Sequence, residues 1–420
     1  MEDFFYRNDE LYCEDVPLSR IAKEYGSPCY VYSHAALLRQ YRAYDRAFGS
    51  IPHIIAFAMK ANSNLAILRV MAREGSGVDI VSGGELFRAL RAGVPAQKMV
   101  FAGVGKGPEE IREALKADIL MFNVESSAEL QAINDVAAGV GCKARVALRI
   151  NPDIDPKTHP YISTGLKKSK FGIAADRALE EFKLARSLPH IDVVGVHKHI
   201  GSQLTEVTPF VEALKKILAL VERVRAEGTD IRYINIGGGL GITYSDEKPP
   251  KPHDLASAIA PLLRDLKVTL IMEPGRNIVG NAGALVTRIL YEKQGEAKRF
   301  LIVDAAMNDL IRPSLYGAYH EIRPVRQQYA QGMTHQVDVV GPVCESGDFL
   351  AKDRAMPNVP AGELLAVMSA GAYGFVMASN YNSRPRVPEV LVHGSEVHLI
   401  RARETYEDLV RGEAIPPFLS

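Results

Sequence analysis

Lys60 stands alone at the end of an apolar run. The stretch Ile54-Ile55-Ala56-Phe57-Ala58-Met59 carries no charge, and the polar turn Asn62-Ser63-Asn64 follows the lysine. Such a run reads as a buried parallel strand with a cation at its carboxyl end. An amine partly withdrawn from water favours its neutral form, the nucleophile for an aldehyde. A surface lysine closing a strand would look the same in isolation, so the weight falls on the other motifs.

GGGLGI (237–242) follows another strand-like run, and its consecutive glycines let backbone N–H groups approach an anion closely. EPGRNIVGNAG (273–283) adds the Gly275 N–H and the Arg276 guanidinium to the same anion. Gly237, Gly238 and Gly239 form a turn with or without a guest, and Glu273–Arg276 is read alternatively as a surface pair. In HKHIGSQ (197–203), His197 and His199 share one face of a strand with Lys198 on the other. A zinc pair would want a third ligand of matching style; none is visible, and no metal site is expected. The alternative is an imidazole stacked on a cofactor ring, with Ser202 bonding a phosphate. In GPVCESGDFLA (341–351), Cys344 suits a proton donor and Glu345 a receiver of a substrate ammonium, unless the cysteine merely fills a turn. Arg312, Tyr316 and Tyr373 either bind a substrate carboxylate or belong to the core. A lysine for a Schiff base, a phosphate cup, a carboxylate for a ring nitrogen and a stacking imidazole together describe a pyridoxal 5′-phosphate site.

Eight apolar runs position these residues: 54–59, 77–81, 98–103, 119–124, 144–150, 191–200, 233–239 and 268–274. Segments of helical period, such as LAILRVMAREG and GELFRALRAG, alternate with them. Eight strand–helix units predict a (β/α)8 barrel; a doubly wound sheet would want a glycine fingerprint where this chain has KANSN. Polar residues then fall at strand ends: Lys60, Asp79 with Ser82 and Glu85, Asn123 with Glu125, Arg149 with Asn151, His199, the glycines and Glu273. That rim is where barrel enzymes build their sites. Beyond about residue 280, β-branched runs joined by Gly, Pro and Asn turns predict a β-sandwich or β-barrel domain. The expected organisation is a segment 1–30 packing on the β domain, a barrel over 31–278 and the β domain over 279–420.

Composition narrows the rest. The chain has 420 residues, 50 basic and 50 acidic, so no formal net charge, and no basic stretch that would suit nucleic acid. No apolar run is long enough to span a bilayer. The four cysteines, Cys13, Cys29, Cys142 and Cys344, form no CxxC pair. Together with an acidic N-terminus lacking a leader-like stretch, this makes a cytoplasmic protein the expectation.

The order YGSPCYVYS (25–33), AMKANSN, GVDIVSGGEL, SKFGI (169–173), HIGSQ, GGGLGI, EPGR, CESGD (344–348) and SAGAYGFVMASNYN resembles the fold-type III pyridoxal-phosphate decarboxylases over nearly the whole chain. Within them it is most similar to the branch acting on meso-2,6-diaminopimelate. The resemblance implies that Lys60 carries the cofactor aldehyde, His199 stacks on the ring and Glu273 pairs with the pyridine nitrogen. It implies phosphate contacts from Ser202, Gly239, Gly275 and Arg276 with Tyr373 alongside, and supporting positions for Asp79, Glu85 and Arg149. It implies a substrate pocket of Arg276, Arg312, Tyr316, Glu345 and Tyr373. It also implies a head-to-tail homodimer in which Cys344 and Glu345 reach the partner's site. Arginines at the far end of the pocket suit a distal carboxylate, which diaminopimelate has and ornithine lacks. The expected reaction is therefore loss of CO2 to leave L-lysine. The alternatives are decarboxylation of ornithine, lysine or a carrier-bound glutamyl group, amino-acid racemisation, and a non-catalytic cofactor-binding regulator.

Overall fold

The structure, a computed structural model, describes residues 3–154 and 170–419. The chain divides into two compact units, Leu37–Val279 and a unit made of Met1–Ala36 with Gly280–Ser420. Four strands precede the first unit: β1 (Phe4–Arg7), β2 (Glu10–Cys13), β3 (Val16–Pro17) and β4 (Cys29–Ser33).

The unit Leu37–Val279 holds β5 (His53–Ala58), β6 (Gly77–Ile80), β7 (Met99–Phe101), β8 (Met121–Val124), β9 (Ala144–Asn151), β10 (Ile173–Ala174), β11 (Ile191–His197), β12 (Tyr233–Asn235) and β13 (Thr269–Met272). β5, β6, β7, β8, β9, β11, β12 and β13 pair in parallel in that order, and β13 pairs back to β5, closing the ring; β10 adds a short ninth strand on β9. All eight runs expected from the sequence are barrel strands. Closure leaves no open end to the run of eight, which the doubly wound alternative would have. Ala56, Val100, Leu120, Met121, Ala147, Val194 and Ile271 form one buried apolar cluster. The amphipathic runs between strands fold as helices, and two of them start alike. Ser82 caps the helix Gly83–Ala92 by accepting from Glu85 N, and Ser126 caps Ser127–Val140 by accepting from Glu129 N. Glu85 and Glu129 reach back to the backbone N–H groups of Val81 and Glu125. Each arrangement satisfies otherwise orphaned donors where a strand meets its helix.

The other unit is built on a mixed sheet. Its later strands are β14 (Gly283–Gln294), β15 (Arg299–Val303), β16 (Ile322–Pro324), β17 (Thr334–Val340), β18 (Phe349–Pro357), β19 (Leu364–Val367), β20 (Glu389–His393) and β21 (Glu396–Arg401). The sheet order is β18-β17-β15-β14-β4-β20-β21, with β19 pairing β14 and β16; β1–β3 form a separate small sheet. The all-β character expected here is present, as this mixed sheet rather than as a closed barrel. Strand β4 lies antiparallel to β14 and parallel to β20, and all five of its residues are buried. Residues 31–36 therefore belong to this unit, and the units divide at 36/37 and 279/280 where the sequence suggested 30/31 and 278/279. The sequence also passed over β18, because Lys352, Asp353 and Arg354 interrupt its apolar pattern.

Candidate active site

Lys60 sits in the turn Met59–Ala61 directly after β5, and its Nζ donates to Asp79 Oδ2 at 2.8 Å. Asp79 lies on β6 in register with Ala58, so neighbouring strands deliver the two groups to one edge of the ring. The Asp79 carboxyl is fully buried and is pushed up to about 6, first by burial and then by the charge of Glu273, with Lys60 opposing both. The sequence suggested an amine altered by desolvation alone; the structure gives the amine a buried anion as partner. In the helix that directly follows β6, Glu85 in the first turn of Gly83–Ala92 is likewise raised, to about 7, chiefly by burial.

Glu273 follows β13 and is 5 % exposed. Its Oε1 accepts from Asn235 Nδ2 at 2.6 Å and from Asn123 Nδ2 at 3.1 Å, and its Oε2 lies 3.5 Å from His197 Nε2. Burial alone would raise this carboxyl, but His197, Lys60 and His199 outweigh it and hold Glu273 well below the usual carboxylate range. A carboxylate kept ionised in a dry site is suited to keep a facing heterocyclic nitrogen protonated. Asn235 escaped the sequence reading, although a lone amide at the end of the run YIN, just before three glycines, is the signal that marks it. His197, weighed above as half of a zinc pair, lies against this carboxylate.

His199 lies two residues beyond His197, past the end of β11. Its imidazole is held below its ordinary range by burial first, then by Arg149 and Lys60. It presses on Gly237, whose φ is +67° and where an added Cβ would lie 2.7 Å from His199 Nδ1. Gly239, at φ +131°, leaves room that a Cβ would lose at 2.5 Å from Gly201 O, and at Gly238 a Cβ would meet Glu273 O at 2.1 Å. The glycine run is therefore a cradle of bare backbone, as an oxyanion guest requires. Arg276 lies 6 % exposed; its Nε and Nη2 each donate to Ser202 Oγ at 3.2 Å and its Nη1 to Tyr244 OH at 2.6 Å. Tyr244 had no sequence signal. Arg149, expected near the cofactor, makes a buried ion pair with Glu125 at 2.7 Å and lies over Phe171, with the guanidinium carbon 4.7 Å from the ring centroid. Glu125 in turn accepts from Gly172 N, which ties KFGI to the strand ends; Ser169 of that motif lies outside the described residues. A lysine amine for an aldehyde, a carboxylate for a ring nitrogen and a glycine cradle beside a guanidinium fit pyridoxal 5′-phosphate.

The remaining expected residues lie in the β unit. Arg312 opens the helix Arg312–Tyr316, is 6 % exposed, and its Nη1 meets His320 Nε2 at 2.8 Å. His320 Nδ1 is 2.8 Å from Met368 O, so that nitrogen carries the proton and Nε2 accepts from the arginine. Tyr316 is half-buried. Cys344 is exposed, not a core cysteine, and its backbone N donates to Asn382 Oδ1 at 2.8 Å. Glu345 is exposed beside it, while Asp348 closes the turn by accepting from Val343 N and Met307 N. Tyr373 adopts φ +56°, a left-handed conformation that costs a bulky residue energy and recurs at functional sites.

This architecture and site define a pyridoxal-phosphate enzyme of the barrel-plus-β class. Residues 34–280 match the family model described as "Pyridoxal-dependent decarboxylase, pyridoxal binding domain". The diaminopimelate decarboxylase of Pseudomonas aeruginosa is 54% identical over 99% of this chain and 100% of its own length. Among solved structures, the diaminopimelate decarboxylase of M. jannaschii in co-complex with L-lysine is 41% identical with a TM-score of 0.94, covering 100% of this chain and 99% of that one. That of Helicobacter pylori complexed with L-lysine is 45% identical with a TM-score of 0.90, covering 94% and 98%. The chain belongs to the diaminopimelate decarboxylase family.

Proposed function

We propose that this chain converts meso-2,6-diaminopimelate to L-lysine and CO2, the closing step of lysine synthesis. The observation that carries the reading is Glu273, a buried carboxylate bonded by two amides and held ionised by His197, Lys60 and His199 in the same barrel rim that presents Lys60. Bound there, pyridoxal 5′-phosphate supplies the electron sink for the pair left on Cα when the C–CO2 bond breaks.

The chain's own residues do the rest. Lys60 Nζ would hold the aldehyde carbon of the cofactor, with Asp79 keeping that amine in position. Glu273 would hold a proton on the ring nitrogen, His199 would pack on the ring, and the Gly237–Gly239 cradle with Gly275, Ser202 and Arg276 would take the phosphate, with Tyr373 beside it. Arg149 acts at one remove, by fixing Glu125 and Phe171. Arg312, Tyr316 and Arg276 take the distal carboxylate of the substrate, and Glu345 its distal ammonium. Cys344 or Lys60 returns the proton to Cα. We assign Cys344 and Glu345 to the site of a second subunit in a homodimer; their exposure in a single chain is what such sharing requires. Four free cysteines suit a reducing cytoplasm, and among the described residues no helix is long and apolar enough to cross a membrane.

The test is product analysis. Purified holoenzyme should release CO2 and lysine from meso-diaminopimelate, and borohydride should fix the cofactor to the peptide containing Lys60. Faster CO2 release from ornithine or lysine would replace the substrate assignment. A chain that takes up no cofactor and shows no adduct at Lys60 would end the reading altogether.

A further inference from the structure

The β20–β21 hairpin gathers metal-ligating side chains that the reaction does not use. His393 ends β20 and pairs across the hairpin with Glu396, and His398 lies two residues further along β21. Cross-strand partners and i, i+2 neighbours project from the same face, so backbone register alone puts His393, Glu396 and His398 side by side. One ligand atom from each lies within 4.8 Å of the others, and His398 Nε2 is already 3.3 Å from Glu396 Oε2.

The frame beneath them is pinned by a single carboxylate. Glu14 Oε2 accepts from Gly394 N in the hairpin turn at 2.6 Å, while its Oε1 accepts from Ser33 Oγ at 2.7 Å and from Ala35 N at 2.9 Å. Because β4 runs parallel to β20 with Val392 opposite Ser33, His34 emerges beside His393, and their rings meet edge to face with centroids 4.7 Å apart. The His393 ring is thus walled on one side, and the hairpin turn is tied to the segment that provides the wall. The three ligands lie close together in HGSEVH (393–398), but nothing in linear spacing brings the wall at residue 34 to residue 393.

We propose that His393, Glu396 and His398 form a site for a divalent transition metal of the zinc class, with water in the fourth position. Two imidazoles and one carboxylate are a donor set that suits zinc, cobalt or nickel and not magnesium. Tetrahedral zinc holds its ligand atoms about 3.3 Å apart, given bonds of about 2.0 Å. Closing from the present spacing takes rotamer adjustment of exposed side chains, with the backbone already placed by Glu14.

The experiment uses tag-free, cofactor-loaded enzyme freed of metal by chelation and gel filtration. Equilibrium dialysis should find one zinc ion per chain, cobalt should develop a visible absorption band, and magnesium should not compete. His393→Ala and His398→Ala should each weaken zinc binding by about tenfold or more, while the exposed His253→Ala should leave it unchanged. In the wild type, with no substitution, zinc should protect His393 and His398 from diethylpyrocarbonate, read by mass spectrometry of the peptides. Unaltered modification of both histidines at saturating zinc would overturn the proposal. So would zinc retained equally by the His393→Ala/His398→Ala double variant, which would move the ion elsewhere, for instance to the exposed thiol of Cys344.

Discussion

Three side chains converge on one buried carboxylate, and their contributions are separable. Removing Glu273 itself as Glu273→Ala should abolish most turnover while cofactor loading persists, measured as kcat against the absorbance of bound cofactor; kcat near wild type would remove Glu273 from its role. Asn235→Leu deletes the shorter of the two amide donors and leaves Oε1 with the 3.1 Å bond from Asn123. A bond to a charged group is worth roughly 1.5–3 kcal/mol, so kcat should fall by about tenfold or more with KM little changed. Glu85 gives a pH signature. Its carboxyl rises in the fold from the ordinary 4.5 to about 7. The native chain then holds the proton more tightly than the unfolded chain, so this group's contribution to stability declines as pH rises from about 4.5 through about 7. Glu85→Gln should therefore stabilise the cofactor-free protein at pH 8 by on the order of 1–2 kcal/mol, allowing for partial exposure. The gain should vanish below the ordinary carboxyl range; equal denaturation midpoints for the two proteins at both pH values would refute it. Most of these residues were visible in the linear sequence because each is a polar exception at the end of an apolar run. Tyr244 was not, since a tyrosine after a glycine loop looks like any other.

At the scale of elements, the strand-to-helix turns do the positioning. The barrel was legible because strands buried on both faces read as short apolar runs, and helices between them read at period 3.6. β18 was not, because a charged triplet in an antiparallel sheet breaks the alternation. β4, the run CYVYS, straddles the expected boundary at 30/31, because a short apolar strand carries no local mark of which sheet it joins. The glycine turn after β12 is the most demanding element. Gly239→Ala adds a Cβ at 2.5 Å from Gly201 O in a backbone conformation that L side chains rarely adopt. The variant should lower the melting temperature, by the roughly 1–3 kcal/mol typical of overpacking, and weaken cofactor binding more than it weakens folding. Cofactor titration by absorbance alongside thermal denaturation checks both; wild-type affinity with a lowered melting temperature would leave the turn a structural role only.

For the whole molecule, the assignment of Cys344 to a partner's site makes a subunit-mixing prediction. With Cys344 as the proton donor to Cα, Lys60→Ala and Cys344→Ala should each be nearly inactive alone. Unfolded together and refolded, random pairing puts one intact site in half of the dimers, so about a quarter of wild-type activity should return. No recovery, with dimers present by light scattering, would place both residues in the same subunit's site. The sequence by itself determined the chemistry on offer: a lysine, a carboxylate, a glycine cradle and an arginine, each at the end of a strand or in the turn after it, because burial patterns and turn residues act over a few neighbours. It also determined that eight such strands follow one another. Only the tertiary structure decided that β13 closes on β5, that Asn123, Asn235 and His197 from three strands serve one carboxylate, and that Glu14 ties residue 34 to the hairpin at 393. Those relations depend on which distant segments bury their surfaces against one another, and local spacing carries no record of that choice.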